Sequence, residues 1–84
     1  MTDQEFELID ALYFTVSFKQ LKKEVSFETE ELKDQLKTLI LKGWVKCLEP
    51  NSEEEIVDFT ILDKNFLTYN YLATKEGLLA HNSR

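Results

Sequence analysis

Hydrophobic residues recur three or four positions apart near the N-terminus: Phe6, Ile9, Leu12, Tyr13 and Val16. This spacing puts them along one face of a helix. Thr2 and Glu5 have the Thr-x-x-Glu spacing of a capping box, in which the hydroxyl accepts from a backbone N–H and the carboxylate reaches back to another. We therefore expect a first helix over about residues 3–14.

A second helix is predicted by another capping pair, Ser17 and Gln20. It is short, about residues 17–24, and its inward side carries Phe18, Leu21 and Val25. Residues 15–16, which connect the two helices, are expected to be an extended link.

The third helix is predicted over about residues 29–42, with Glu28 or Thr29 as its cap. Its inward stripe consists of Leu32, Leu36, Leu39 and Ile40. Gly43 follows, as is typical of a helix stop.

Residues 44–49 and 66–72 alternate between hydrophobic and polar side chains, which is typical of half-buried strands. We expect them to pair as a β-hairpin within about residues 44–72. Thr74 then caps a short helix from Lys75 to about His81. The expected fold class is therefore α+β, with three N-terminal helices, a hairpin and a short C-terminal helix.

The segment between the two predicted strands is harder to interpret. Residues 50–52 and 63–65 contain turn-forming residues. Residues 53–58 begin with three glutamates and are expected to form an acidic loop. Residues 59–62 are apolar enough to be a strand or part of one.

Length and composition indicate one globular domain, residues 1–84. The 84 residues are 43% hydrophobic and 12% aromatic, which is too apolar for a disordered chain. No apolar run approaches the ~20 residues needed to span a bilayer. Cys47 is the single cysteine, so an internal disulfide is excluded. Without an export signal, we expect a cytoplasmic protein with no membrane partner.

The net charge of −6 is unevenly distributed. Residues 19–46 hold seven lysines against five acids, whereas the segments on either side are acidic. This excess is weak beside the basic footprint that is typical of nucleic-acid-binding domains.

Four stretches in a fixed order resemble a winged helix-turn-helix domain, of the kind seen in MarR-like and PadR-like bacterial regulators. They are Leu21 with Val25-Ser26-Phe27, then Leu32, Leu36 and Leu39, then Lys42-Gly43-Trp44-Val45, then residues 71–78 with Thr74 and Gly77. The resemblance implies that helix 3 enters the DNA major groove and that the hairpin is a wing. It also implies a homodimer formed through helix 1 and the C-terminal helix.

On this basis the candidate DNA-binding residues lie on helices 2 and 3. They are Lys19, Lys22, Lys23, Thr29, Glu30, Lys33 and Lys37. The lysines would neutralise phosphates, and a glutamate could accept from cytosine N4. A solvated helix face is the alternative for the helix 2 lysines.

The acidic side of helix 3 gives a second hypothesis, a protein-interaction module that keeps the fold without binding DNA. Its candidate interface residues are Asp34, Leu41, Glu53, Glu54 and Glu55. Two structural alternatives remain open: the wing or helix 1 could cover Leu41, and the glutamates could form a solvated loop. Trp44 is expected in the core rather than stacked on a ligand. Tyr69 and Tyr71 are expected in the core rather than at a dimer contact.

Candidate chemistry is sparse. Cys47 and His81 lack metal-ligand spacing, and the chain has no catalytic triad pattern and no glycine-rich phosphate loop. We therefore expect a non-enzymatic cytoplasmic regulator without metal or cofactor, binding double-stranded DNA in the first hypothesis and another protein in the alternative.

Overall fold

The computed structural model describes residues 1–57 and 63–83, which form an α+β fold. The helices in this part of the chain are α1 (Asp3–Ala11), α2 (Phe18–Glu24), α3 (Thr29–Leu41) and α4 (Lys75–Asn82). The strands are β1 (Val16–Ser17), β2 (Val45–Leu48), β3 (Glu55–Ile56) and β4 (Asn70–Ala73). Residues 63–65 add one helical turn.

Helix α1 begins at the predicted capping box but ends earlier than expected. The Thr2 hydroxyl accepts from the Glu5 N–H at 3.1 Å, and the Glu5 carboxylate accepts from the Thr2 N–H at 2.9 Å. The helix stops at Ala11 rather than near residue 14. The carbonyl of Leu12 instead accepts from the N–H of Ala73 at 2.9 Å, so β4 takes the acceptor that another helical turn would need.

The remaining helices begin and end at the residues that their local chemistry favours. The Ser17 hydroxyl accepts from the Gln20 N–H at the start of α2. Helix α3 has Glu28 at its N-cap position, without a side-chain capping bond. After α3, Gly43 has a φ of +80°, a left-handed conformation that glycine adopts without strain.

The four strands among the described residues form one antiparallel sheet in the order β1-β4-β2-β3. The central pair matches the predicted hairpin strands, with Val45 opposite Ala73 and Leu48 opposite Asn70. The turn after β2 returns as β3, which places Ile56 opposite Cys47.

Three predicted segments differ from the structure. Residues 15–16 were expected to be only a link, but Val16 pairs with Tyr71 and gives β4 a second neighbour. The acidic loop includes a short edge strand, β3. The returning strand begins at Asn70 rather than at residue 66. Residues 66–68 form a turn instead, in which the Thr68 N–H donates to the Asn65 carbonyl at 2.8 Å and the Tyr71 hydroxyl donates to the Phe66 carbonyl at 2.6 Å. The apolar segment 59–62 and its strand prediction lie outside the described residues, as does residue 58.

The core lies between the helices and one face of the sheet. Its largest fully buried side chains include Tyr71, Phe18, Leu8, Ile9, Leu12, Leu21, Leu32, Leu36 and Leu39. Tyr69 and Tyr71 are both buried, as the alternating pattern predicted. Trp44 is half-buried against this core, and the Lys42 ammonium lies 4.9 Å from the centre of its ring.

Helix α4 packs very closely on the start of β2. The N–H of Thr74 donates to the Trp44 carbonyl at 2.9 Å, and a Cβ at Gly77 would lie 2.1 Å from that same oxygen. Glycine is therefore required at position 77 for this approach.

Over residues 1–57 and 63–83, no helix combines the length and the apolar character that crossing a membrane requires.

Candidate functional site

A groove of about 520 Å³ runs along the outer side of α2 and the start of α3. Its lining consists of Phe18, Lys19, Lys22, Lys23, Thr29 and Leu67. The structure therefore brings together four of the residues predicted to bind DNA, the three α2 lysines and Thr29. Phe18 is buried at its base, whereas Leu67 has 62% of its surface exposed.

Local helix geometry explains why the lysines converge. Phe18 and Leu21 turn into the core, so Lys19 and Lys23 are left on the outer side of α2, and the half-buried Lys22 lies at the edge between the two sides.

Two aromatic contacts hold the base of the groove. The Phe18 ring meets Phe66 edge-on at a centroid distance of 5.1 Å and Tyr71 at 6.3 Å. Leu67 comes directly after Phe66, in the turn over residues 66–68, and the Tyr71 hydroxyl donates to the Phe66 carbonyl. The apolar part of the groove is therefore prepositioned by the core.

The two predicted DNA-binding lysines of α3 have carboxylate partners within the chain. Lys37 Nζ lies 3.1 Å from Asp63 Oδ1, and Lys33 Nζ lies 3.7 Å from the same atom. Lys33 also pairs with Glu30 at 3.0 Å and lies 5.1 Å from the centre of the Phe66 ring. Both lysines lie outside the lining of the groove and are partly neutralised by Asp63.

These contacts shift the pKa values of the groups involved. The hydrogen bond and charge of Lys37, with a further contribution from Lys33, lower the pKa of Asp63 below its usual range. The hydrogen bond to Glu30 raises the pKa of Lys33. Each shift favours the charged form, so Asp63 remains an anion beside α3.

The α2 lysines differ from those of α3. Across the described residues, no carboxylate lies within ion-pair distance of Lys19, Lys22 or Lys23. Lys22 is half-buried, whereas Lys19 and Lys23 are exposed. Three lysines that have no carboxylate partner in residues 1–57 and 63–83 therefore meet at this groove, on a chain whose net charge is −6.

The predicted protein-interface residues lie on two separate elements. Asp34 and Leu41 are on α3, and Leu41 is 72% exposed, so neither helix α1 nor the described strands cover it. Glu53 and Glu54 lie in the turn between β2 and β3, and Glu55 begins β3. Glu53 has a φ of +60° in a turn that bonds back to Glu49.

A second polar cluster, which the sequence did not predict, joins α1 to α4. The His81 ring stacks on Phe6 at 4.0 Å and meets Tyr13 edge-on at 5.5 Å. His81 Nδ1 lies 3.1 Å from the Tyr13 hydroxyl, and Nε2 lies 3.3 Å from Asp10 Oδ1. These contacts fasten the two terminal helices together, which is a structural role.

One buried carboxylate fastens α1 to the end of α3. Glu5 is only 3% exposed and accepts a hydrogen bond from Lys42. Burial raises the pKa of Glu5, but the hydrogen bonds from Lys42 and Thr2 outweigh it and lower the pKa overall. Glu5 is therefore a charged internal link between the helices.

Two observations on the described residues concern metal binding and thiol chemistry. Within them, no three His, Cys, Asp or Glu side chains lie close enough to hold a metal ion. Cys47 is buried, and desolvation raises the pKa of its thiol to about 12, so the reactive thiolate is suppressed.

No known protein-family model, curated protein or solved structure matches this chain significantly. A function has to be inferred from the geometry and charge of the chain itself.

Proposed function

We propose that this chain is a winged-helix domain that binds another protein through the α2–α3 side of the fold. The order of its elements supports a winged helix: α2 and α3 are followed directly by β2, which pairs with β4. The groove lies on the side that such domains use for recognition.

The proposal rests mainly on one observation: the lysines of α3 form ion pairs with a carboxylate of the same chain. In a DNA-binding winged helix, this helix would meet phosphates, and its lysines would be needed to neutralise them. Here Lys33 and Lys37 are paired with Asp63, whereas Glu30, Glu31 and Asp34 remain exposed. The exposed carboxylates along α3 would repel the phosphates of DNA, whereas a protein partner could present groups that complement them.

Site-specific photo-crosslinking in the cells that produce the protein tests the proposal. A photoreactive amino acid replaces Leu67 in the groove and, as a matched control, Leu79 on α4, which is 57% exposed. We expect protease-sensitive, nuclease-resistant adducts at position 67 and few or none at position 79. Equal adducts at the two positions, or none at position 67, would contradict the proposal.

DNA-linked regulation is the second candidate function, and the convergence of Lys19, Lys22, Lys23 and Thr29 favours it. Three lysines that each neutralise one phosphate would give a salt dependence of about −2.7 in log K against log salt concentration. In that case the adducts at position 67 would be removed by nuclease.

A further inference from the structure

We propose that the groove binds an acidic protein segment that carries one large apolar side chain. The apolar side chain would pack on Leu67 over the Phe18 base, and the carboxylates beside it would pair with the α2 lysines. This inference rests on the proposed function and specifies the chemistry of the partner.

The apolar half of the site is defined by Leu67. This leucine is 62% exposed and shares the groove with the buried ring of Phe18. The contacts of Phe18 with Phe66 and Tyr71 fix the base before any ligand arrives. A ligand therefore meets a prepositioned apolar surface, which reduces the entropy lost on binding.

Charge complementarity defines the polar half. Lys19, Lys22 and Lys23 surround the groove without ion-pair partners among the described residues, whereas Lys33, Lys37 and Lys42 are all paired. On a chain of net charge −6, an acidic segment is repelled by most of the surface and attracted here. The difference in charge between the groove and the rest of the surface would also orient the ligand, with its carboxylates toward the α2 lysines.

The apolar residue in the groove distinguishes a protein ligand from nucleic acid. A phosphate backbone would pair with the lysines and would gain nothing from covering Leu67. An acidic peptide with a Phe or Leu side chain would use both halves of the site, because burial of that side chain against Leu67 favours binding.

The test is an NMR titration of the ¹⁵N-labelled chain with a short synthetic peptide in which one phenylalanine is flanked by glutamates. We expect saturable shifts of the amides at 18–23, 29 and 67. Replacing the phenylalanine by alanine should weaken binding about tenfold or more. A peptide in which lysines replace the glutamates should not bind.

Matched variants locate the site. Lys22→Glu should abolish peptide binding, whereas Lys75→Glu makes the same charge change on α4 and should leave most of it. Leu67→Ser should weaken binding about as much as the loss of the phenylalanine, and Leu79→Ser should not. Because these side chains lie outside the core, all four variants should keep the wild-type fold, which their spectra would show.

Several outcomes would overturn the inference. They are shifts outside the groove, equal binding of the alanine peptide, indifference to Lys22→Glu, or saturation of the same amides by duplex DNA in place of the peptide. Concentration-dependent shifts of these amides without peptide would assign the groove to a second copy of the chain. If position 67 still crosslinks to protein while the peptide fails, the proposed function stands and this inference does not.

Discussion

Asp63 Oδ1 lies 3.1 Å from the ammonium of Lys37, which brings a carboxylate from the segment between β3 and β4 onto the outer side of α3. The same oxygen lies 3.7 Å from Lys33. Asp63 therefore neutralises the two lysines that a DNA-binding helix would direct at phosphates.

Replacing this carboxylate should increase the affinity of the chain for polyanions. Asp63→Asn removes the charge but keeps the size of the side chain. Lys37 then loses its carboxylate partner and Lys33 keeps only Glu30, so both should bind a polyanion more readily. We expect the variant to elute from immobilised heparin at a higher salt concentration than the wild type.

Glu76→Gln is the control for Asp63→Asn, because it makes the same change in net charge on an exposed position of α4. It should shift elution less than Asp63→Asn does. Equal shifts for the two variants would show that Asp63 does not mask the lysines.

The buried Glu5 carboxylate should make stability depend on pH. Its pKa is lowered in the folded state, so its contribution is present above the ordinary pKa of 4.5 and is lost as the pH falls through the folded-state pKa. Glu5→Gln should therefore lower the free energy of unfolding by about 1–2 kcal/mol at neutral pH. The difference should shrink as the pH is lowered from neutral to well below 4.5.

Denaturant unfolding of Glu5→Gln and the wild type across this pH range checks the prediction. Glu24→Gln, at an exposed position at the end of α2, is the control and should follow the wild-type curve. A wild-type advantage that grows toward low pH would contradict the assigned role of Glu5.

Gly77→Ala should destabilise the protein although alanine is the better helix former. Helix propensity alone would favour the change by about 1 kcal/mol. However, the new Cβ would lie 2.1 Å from the Trp44 carbonyl oxygen, so α4 would have to move away from β2. We expect the free energy of unfolding to fall by about 1–3 kcal/mol, measured by thermal or denaturant unfolding.

Glu76→Ala, at the neighbouring exposed position, is the control, and its free energy of unfolding should stay within about 0.5 kcal/mol of the wild type. A Gly77→Ala variant that is more stable than the wild type would refute the close approach of α4 to Trp44.

Cys47 should react with thiol reagents only when the protein unfolds. The side chain is 1% exposed, and burial raises the pKa of the thiol to about 12. At about pH 8 the thiolate fraction is therefore on the order of one in ten thousand. A chromogenic thiol reagent should label the native chain slowly and the denatured chain quickly, whereas a second cysteine from Ser52→Cys should react at once. Fast native labelling of Cys47 itself would contradict its burial.

The features that could be predicted from the sequence are those set by nearby residues. The caps at Thr2, Ser17 and Thr74 each accept the expected backbone hydrogen bond, because a capping bond spans only three residues. Gly43 adopts the left-handed conformation of a helix stop for the same local reason. The convergence of the α2 lysines also follows from helical spacing.

The features that were missed depend on contacts between distant parts of the chain. The two residues of β1 form a strand because they pair with β4, with Val16 opposite Tyr71. The alternation of residues 66–72 indicated a strand, but residues 66–68 form a turn, closed by the bond from the Thr68 N–H to the Asn65 carbonyl, in which Leu67 is exposed. Likewise, nothing near Asp63 in the sequence indicates that it would reach Lys37. The apolar part of the groove and the pairing of Asp63 with the α3 lysines therefore could not be predicted from the sequence, because both depend on the three-dimensional fold.

The most direct test of protein binding in preference to DNA binding is fluorescence anisotropy of a labelled mixed-sequence duplex, titrated with the wild-type chain at ~50 mM salt, where electrostatic contacts are strong. We predict no saturable, salt-sensitive binding under these conditions. Saturable binding that weakens with salt with a slope near −2.7, and that is lost on Lys22→Glu but not on Lys75→Glu, would contradict it.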